Sequence, residues 1–135
     1  MKVARDQRPV RANASEGLSI AVELVSGCGH AFWPRPGRRI SARPADTFAD
    51  LAAAIDAAFG RRDLEHPRMF VLPGEVEVSW TDWCDGPAFT GTADGRTCRL
   101  EILRPGDSFT YLFDLSRDWS HLCRVRASGG RGCAR

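Results

Sequence analysis

At 135 residues the chain has the length of one domain, enough to bury a core without disulfide or metal staples. Apolar residues make up 43% and charged residues 27%, an ordinary balance for a globular protein, and the longest apolar run falls far short of a bilayer span. The net charge is only +2, so charge alone gives no argument for nucleic acid as a partner.

Lys2 is the only lysine, so 18 of the 19 basic residues are arginine. The guanidinium fork suits phosphate and carboxylate recognition. Ala, Gly and Pro are plentiful as well, and GC-rich coding accounts for all four. The cysteines, Cys28, Cys84, Cys98, Cys123 and Cys133, are odd in number and form no C-x-x-C pair. That spacing specifies neither a disulfide framework nor a zinc ribbon, and free thiols in a reducing compartment are expected. The first eight residues alternate charge without an apolar stretch, unlike a secretory signal. A cytoplasmic protein with no membrane association is expected.

Residues 1–16 are polar and aperiodic and read as a disordered leader. From Leu18, apolar Leu18, Ile20, Val22 and Leu24 alternate with Ser19, Ala21 and Glu23, the period of a half-buried strand. Ser26–His30 ends it, and Trp33-Pro-Arg-Pro-Gly37 forbids regular structure. A short strand at 38–42 returns beside the first. A helix follows over about residues 47–60, with Thr47 as cap, Asp50 three residues on, and an apolar stripe of Phe48, Leu51, Ala52, Ile55 and Phe59. Gly60 stops it, and Arg61-Arg62 suit its negative end. Strands are predicted at 69–72 and 76–80, joined by Pro73-Gly74. Residues 81–96 read as a long loop anchored by Trp83 and Phe89. Alternation at Cys98, Leu100 and Ile102 suggests another strand, then Arg104–Asp107 makes a turn. Phe109, Tyr111 and Phe113 face one way, and Trp119, His121, Cys123 and Val125 return. Residues 128–135 read as a disordered tail.

The pattern predicts a single α+β domain over residues 17–127: a mixed, mostly antiparallel sheet of about six strands, with one main helix on one face. A hairpin, then a helix, then more strands suggests a β-grasp arrangement.

The chemistry-bearing residues gather near the last hairpin. If 109–114 pairs with 119–126, Asp114 and Asp118 share a rim, with Trp119 beside them and His121 just below. Two carboxylates and an imidazole suit a divalent metal or an acid/base pair, although aspartates at turns commonly accept backbone N–H bonds instead. His66, before Pro67, is the second candidate, on a connection between helix and strand. His30 sits in a turn. Trp80, Trp83 and Trp119 suit either a stacking surface or, more simply, core edges. Cys123 lies on the same strand face as His121, but no third group of a nucleophilic site accompanies them. The P-loop, dinucleotide-binding, H-E-x-x-H and G-x-S-x-G motifs are absent.

Two stretches resemble the plasmid pRiA4b ORF-3-like family, whose members are also described as insertion-element passenger proteins. Residues 33–70 contain Thr47-Phe-Ala-Asp-Leu-Ala-Ala-Ala-Ile-Asp-Ala-Ala-Phe-Gly-Arg61 and His66, similar to the family's T-F-A-x-L-A-x-A-I-D-x-A-F-x-R-W-D-x-x-H-L-H-x-F. Tyr111-Leu-Phe-Asp-Leu-Ser-Arg-Asp-Trp-Ser-His121 is similar to Y-x-F-D-x-G-D-D-W-x-H. Here Arg62 replaces the family's tryptophan, Pro67-Arg68 its Leu-His, and Ser116-Arg117 its Gly-Asp. The resemblance implies a divergent, C-terminally shortened member with an α+β domain of unassigned activity. It also implies a binding cluster at His66, Asp114, Asp118, Trp119 and His121.

The leading expectation is a non-enzymatic accessory or binding module whose ligand is a protein or a nucleic acid, the latter through arginines such as Arg124 and Arg126. The alternatives are a hydrolase whose divalent metal is held by His66, Asp114, Asp118 and His121, and a remnant without activity.

Overall fold

Alternation along the first strand sets the geometry of the whole sheet. In the computed structural model, which describes residues 17–61, 67–81, 91–115 and 117–127, β1 (Leu18–Gly27) buries Leu18, Ile20, Val22 and Leu24 and turns the intervening side chains outward. β2 (His30–Ala31) and β3 (Gly37–Ala42) pair antiparallel with β1, and β8 (Trp119–Ala127) occupies its other edge. Beyond β8 come β7 (Ser108–Phe113), β4 (Arg68–Leu72), β5 (Val76–Trp80) and β6 (Ala93–Asp94), and only β5 and β6 run parallel. The leader at 1–16, the tail at 128–135, His66, Trp83 and Phe89 lie outside the described residues.

Among the described residues the sheet has eight strands rather than about six. β2 and β6 are two residues each, too short for any period to register. The segment at 98–102 is not a strand. Leu100–Ile102 forms a 3-10 turn in which the Leu103 amide donates to the Leu100 carbonyl at 2.9 Å. Leu100 and Leu103 point inward and Ile102 is exposed, the three-residue spacing of such a turn. A β-grasp places the first and last strands parallel, whereas β1 and β8 are antiparallel, so that topology is excluded.

The helix α1 (Phe48–Ala58) begins with a capping box: Thr47 Oγ1 accepts from the Asp50 amide at 3.1 Å, and Asp50 Oδ2 accepts from the Thr47 amide at 3.0 Å. Its far end is a Schellman motif. The Gly60 amide donates to Ala57 O at 3.1 Å and the Arg61 amide to Asp56 O at 2.9 Å, with Gly60 at φ 75°. Arg38 Nε, from β3, donates to the Ala58 carbonyl at 3.0 Å, placing a cation at the negative helix end.

Phe48, Leu51 and Ile55 are buried against the inner sheet face, each contributing about 1.5–3 kcal/mol. Phe48 packs on Phe70 and Phe109, with centroids 5.1 and 6.5 Å away. Phe70 in turn stacks on Tyr111 at 4.7 Å and Trp80 at 6.0 Å. An aspartate at Leu51 would place a carboxylate in this apolar layer and break it.

Candidate functional site

The C-terminal hairpin forms in the expected register: Tyr111 lies opposite His121 and Phe113 opposite Trp119. The turn between them uses its aspartates as backbone elements. The Asp114 carbonyl accepts from the Arg117 amide at 2.9 Å and the Asp118 amide at 2.7 Å, while the Asp114 amide donates to Pro67 O at 3.1 Å. Both aspartates sit at φ 58°, the left-handed region that Asp tolerates better than most residues. Asp114 is buried, with Oδ2 3.8 Å from Arg117 Nε, whereas Asp118 is exposed.

His121 does not join that rim. Its side chain is fully buried on the inner face. Nδ1 lies 2.9 Å from the Tyr111 carbonyl, which can only accept, so Nδ1 carries the proton. Nε2 is then the acceptor for Arg61 Nη2 at 2.7 Å. Both ring nitrogens are engaged, leaving neither for a metal. Burial draws the imidazole pKa down to about 4; the Arg61 charge acts the same way, and the Tyr111 and Trp119 backbone bonds oppose it. Among the described residues no three His, Cys, Asp or Glu side chains converge as a metal site. Of the expected cluster, Asp114 and Asp118 shape a turn and His121 is a buried imidazole, while His66 lies outside the described residues.

What His121 joins instead is a polar cluster centred on Asp56, a fully buried residue of α1. Tyr111 Oη donates toward both carboxylate oxygens, 3.0 Å from each. Arg61 Nη1 donates to Oδ1 at 3.0 Å, and Arg68 Nη1 lies 3.8 Å from Oδ2. Burial raises the Asp56 pKa, against the opposing pull of Arg61, Tyr111 and Arg68. Burial raises the Tyr111 phenol further, and the neighbouring carboxylate adds to it, so Tyr111 stays a neutral donor. Arg61 also lies over the Phe59 and Phe113 rings, and Arg68 over Trp80. Carboxylate, phenol and imidazole are all occupied. The cluster ties α1 to the hairpin.

Asp56 was legible in principle: it continues the buried stripe of α1, four residues after Ala52, where an apolar residue is expected. Asp56, Arg61, Tyr111 and His121 come from the two stretches that carry the family resemblance, which here meet in space.

Of the remaining candidates, Cys123 is buried and its thiol is pushed up by burial, unlike an activated nucleophile. Trp80 is core, and Trp119 is half-buried and stacked on Phe32 at 6.1 Å. Gly27 allows this, since a Cβ there would collide with the Trp119 ring. His30 is exposed in the β2 turn.

The outer sheet face differs in kind. Arg39 and Arg124 flank Ala21 in register on β3, β1 and β8, and Arg126 follows beside Ser19. With strands near 4.8 Å apart, the first two are roughly 10 Å apart at the backbone. All three are exposed, and Arg39 Nη1 donates to Ser19 Oγ at 3.0 Å. An open groove of about 390 Å³ adjoins Arg124 and Arg126, which line it with Pro105, Gly106, Ser108 and Val125. Further along the face, Glu23 pairs with Arg35 at 3.3 Å.

No helix among the described residues is long and apolar enough to cross a membrane. No family model matches the chain, and no curated protein does. Among solved structures the chain is similar to the protein of unknown function MM3350 from the archaeon Methanosarcina mazei Go1, with a TM-score of 0.65 and 16% identity over 87% of this chain. The match spans 66% of that protein's length. The likeness is one of fold.

Proposed function

We propose that the domain is a non-enzymatic accessory module that binds nucleic acid through its outer sheet face, a cytoplasmic protein of the kind the pRiA4b ORF-3-like resemblance implies. The observation that carries this reading is the exposed arginine row of Arg39, Arg124 and Arg126. Guanidiniums on a flat, regular surface present rigid donor forks at fixed separations, which suits a phosphate backbone. The groove beside Arg124 and Arg126 gives that backbone a shallow track. The acidic residues of the turn lie at the other end of β8 from Arg126.

Binding of this kind is dominated by counterion release. Three neutralised phosphates give a log–log salt slope of about −2 to −3. Fluorescence anisotropy of a labelled 20-nucleotide strand and of the matching duplex, from low to moderate salt, measures it. The expected result is salt-sensitive binding, weakened and flattened in slope by Arg39→Ala/Arg124→Ala/Arg126→Ala. Absence of binding at low salt, or binding indifferent to the triple variant, rejects the reading. The metal-assisted hydrolase finds less support, because both nitrogens of His121 are already engaged.

A further inference from the structure

Trp33 is the most exposed large apolar side chain among the described residues, at 86%. An indole this exposed is open to contact by a partner. Its loop is well held. The Phe32 amide donates to Val25 O and the Leu24 amide to Pro36 O, both at 2.9 Å. The Phe32 ring stacks on Trp119, and Pro34 and Pro36 fix two of the intervening φ angles. The backbone on both sides of Trp33 is therefore anchored while the ring projects.

The ring also belongs to the basic face. Arg35 reaches Glu23, whose position on β1, between inward Val22 and Leu24, turns it outward. The Arg35 guanidinium lies 5.9 Å from the Trp33 ring centroid. Glu23 is two residues along β1 from Ala21, which separates Arg39 from Arg124. An aromatic face and an arginine row therefore follow one another on the same side of the sheet. The guanidiniums of Arg39, Arg124 and Arg126, with Arg35 beside them, outnumber Glu23, the one carboxylate within β1, β3 and β8.

We infer that Trp33 is a base-stacking residue for single-stranded nucleic acid, whose backbone then runs along Arg39, Arg124 and Arg126. This rests on the nucleic-acid reading above and adds to it a contact that only unpaired strands can make. A duplex presents phosphates but hides its base faces; a single strand offers both, and every base has a face on which an indole can stack. The Arg35 guanidinium beside the ring can add a cation–π contact of its own to the strand.

The test compares oligo(dT) of 20 nucleotides with a 20-base-pair duplex by anisotropy. The proteins are the full chain, Trp33→Ala, Trp33→Phe and the triple arginine variant. Trp33→Ala is expected to weaken oligo(dT) binding about 5- to 150-fold and leave duplex binding within about twofold. Trp33→Phe should restore part of it, and tryptophan fluorescence quenched by oligo(dT) should be lost in both. At 86% exposure the substitution leaves the core intact, which unchanged thermal unfolding verifies. Wild-type binding to both probes with no effect of Trp33→Ala overturns the stacking role alone. An equal loss on both probes does the same. Failure of the wild type to bind either probe removes both readings, and Trp33 would then be left as a protein-docking residue.

Discussion

Replacing Asp56 by alanine is the sharpest test of the buried cluster. The carboxylate is fully buried and receives Tyr111 Oη and Arg61 Nη1 at 3.0 Å, with Arg68 at 3.8 Å. Removing it leaves two guanidiniums facing each other and a phenol without an acceptor. Breaking a buried ion pair from one side costs about 3–5 kcal/mol, a large share of the 5–15 kcal/mol typical of a domain. Tyr111→Phe takes away only the phenol's bond to a charged acceptor, worth about 1.5–3 kcal/mol. Urea unfolding followed by tryptophan fluorescence reads both. With an m-value of about 2 kcal/mol/M, Asp56→Ala lowers the midpoint by roughly 2 M. The double variant should cost less than the two singles combined, since each removes the same contact. A loss below about 1 kcal/mol for Asp56→Ala, or strict additivity, would refute the cluster's role as the lock between α1 and the hairpin.

Acid should loosen the same region. The folded imidazole of His121 has its pKa lowered from 6.5 to about 4, so between those values the unfolded state binds the proton and the folded state does not. Stability from this group is present above pH 6.5 and is lost as pH falls through the window, by about 3 kcal/mol at most. Asp56, whose pKa is raised, has the opposite sign: above its ordinary value the folded state holds the extra proton, so its contribution falls as pH rises. The net acid loss is smaller than the histidine alone would give, and His121→Gln flattens it in unfolding titrations from pH 7 to 4. Gly27→Ala drives a methyl into the Trp119 ring and should cost about 1–3 kcal/mol, measured as a lowered thermal midpoint; an unchanged midpoint contradicts the packing. In alkylation with peptide mapping, exposed Cys28 should label in the native protein, and buried Cys123 only after unfolding. Native labelling of Cys123 contradicts its burial.

The elements that could be read from the chain are those whose side chains obey one period over at least five residues. β1 as far as Leu24, β7, and the Trp119–Val125 stretch of β8 alternate, and the stripe, cap and glycine stop of α1 agree with one another. The segment at 98–102 misled because two apolar residues two apart imitate a strand, while the pair that is buried, Leu100 and Leu103, is three apart. The hairpin was legible, but neither the full burial of His121 nor its side-chain partner was. That partner is Arg61, sixty residues earlier. Spacing within a hairpin says nothing about which helix residue is laid across it. Arg61 was read as a neighbour of the helix dipole, whereas the Schellman turn aims it inward at Asp56 and His121. The arginines of the outer face were countable, but only the register of β3, β1 and β8 brings Arg39 alongside Arg124.

The ladder between β1 and β8 joins Leu18 to Ala127, the first and last strand residues of the described structure. While the chain is being synthesised, β1 must wait for about a hundred residues before its longest partner exists. The β1–β3 hairpin and the β4–β5 hairpin are local and can form early, but they meet only when β8 slots between β1 and β7. Non-local closure of this sort makes folding slow and concentrates it at the end. A nascent chain stopped before residue 119 would expose two unpaired strand edges at the middle of its future sheet, the state most prone to pair with a neighbour instead.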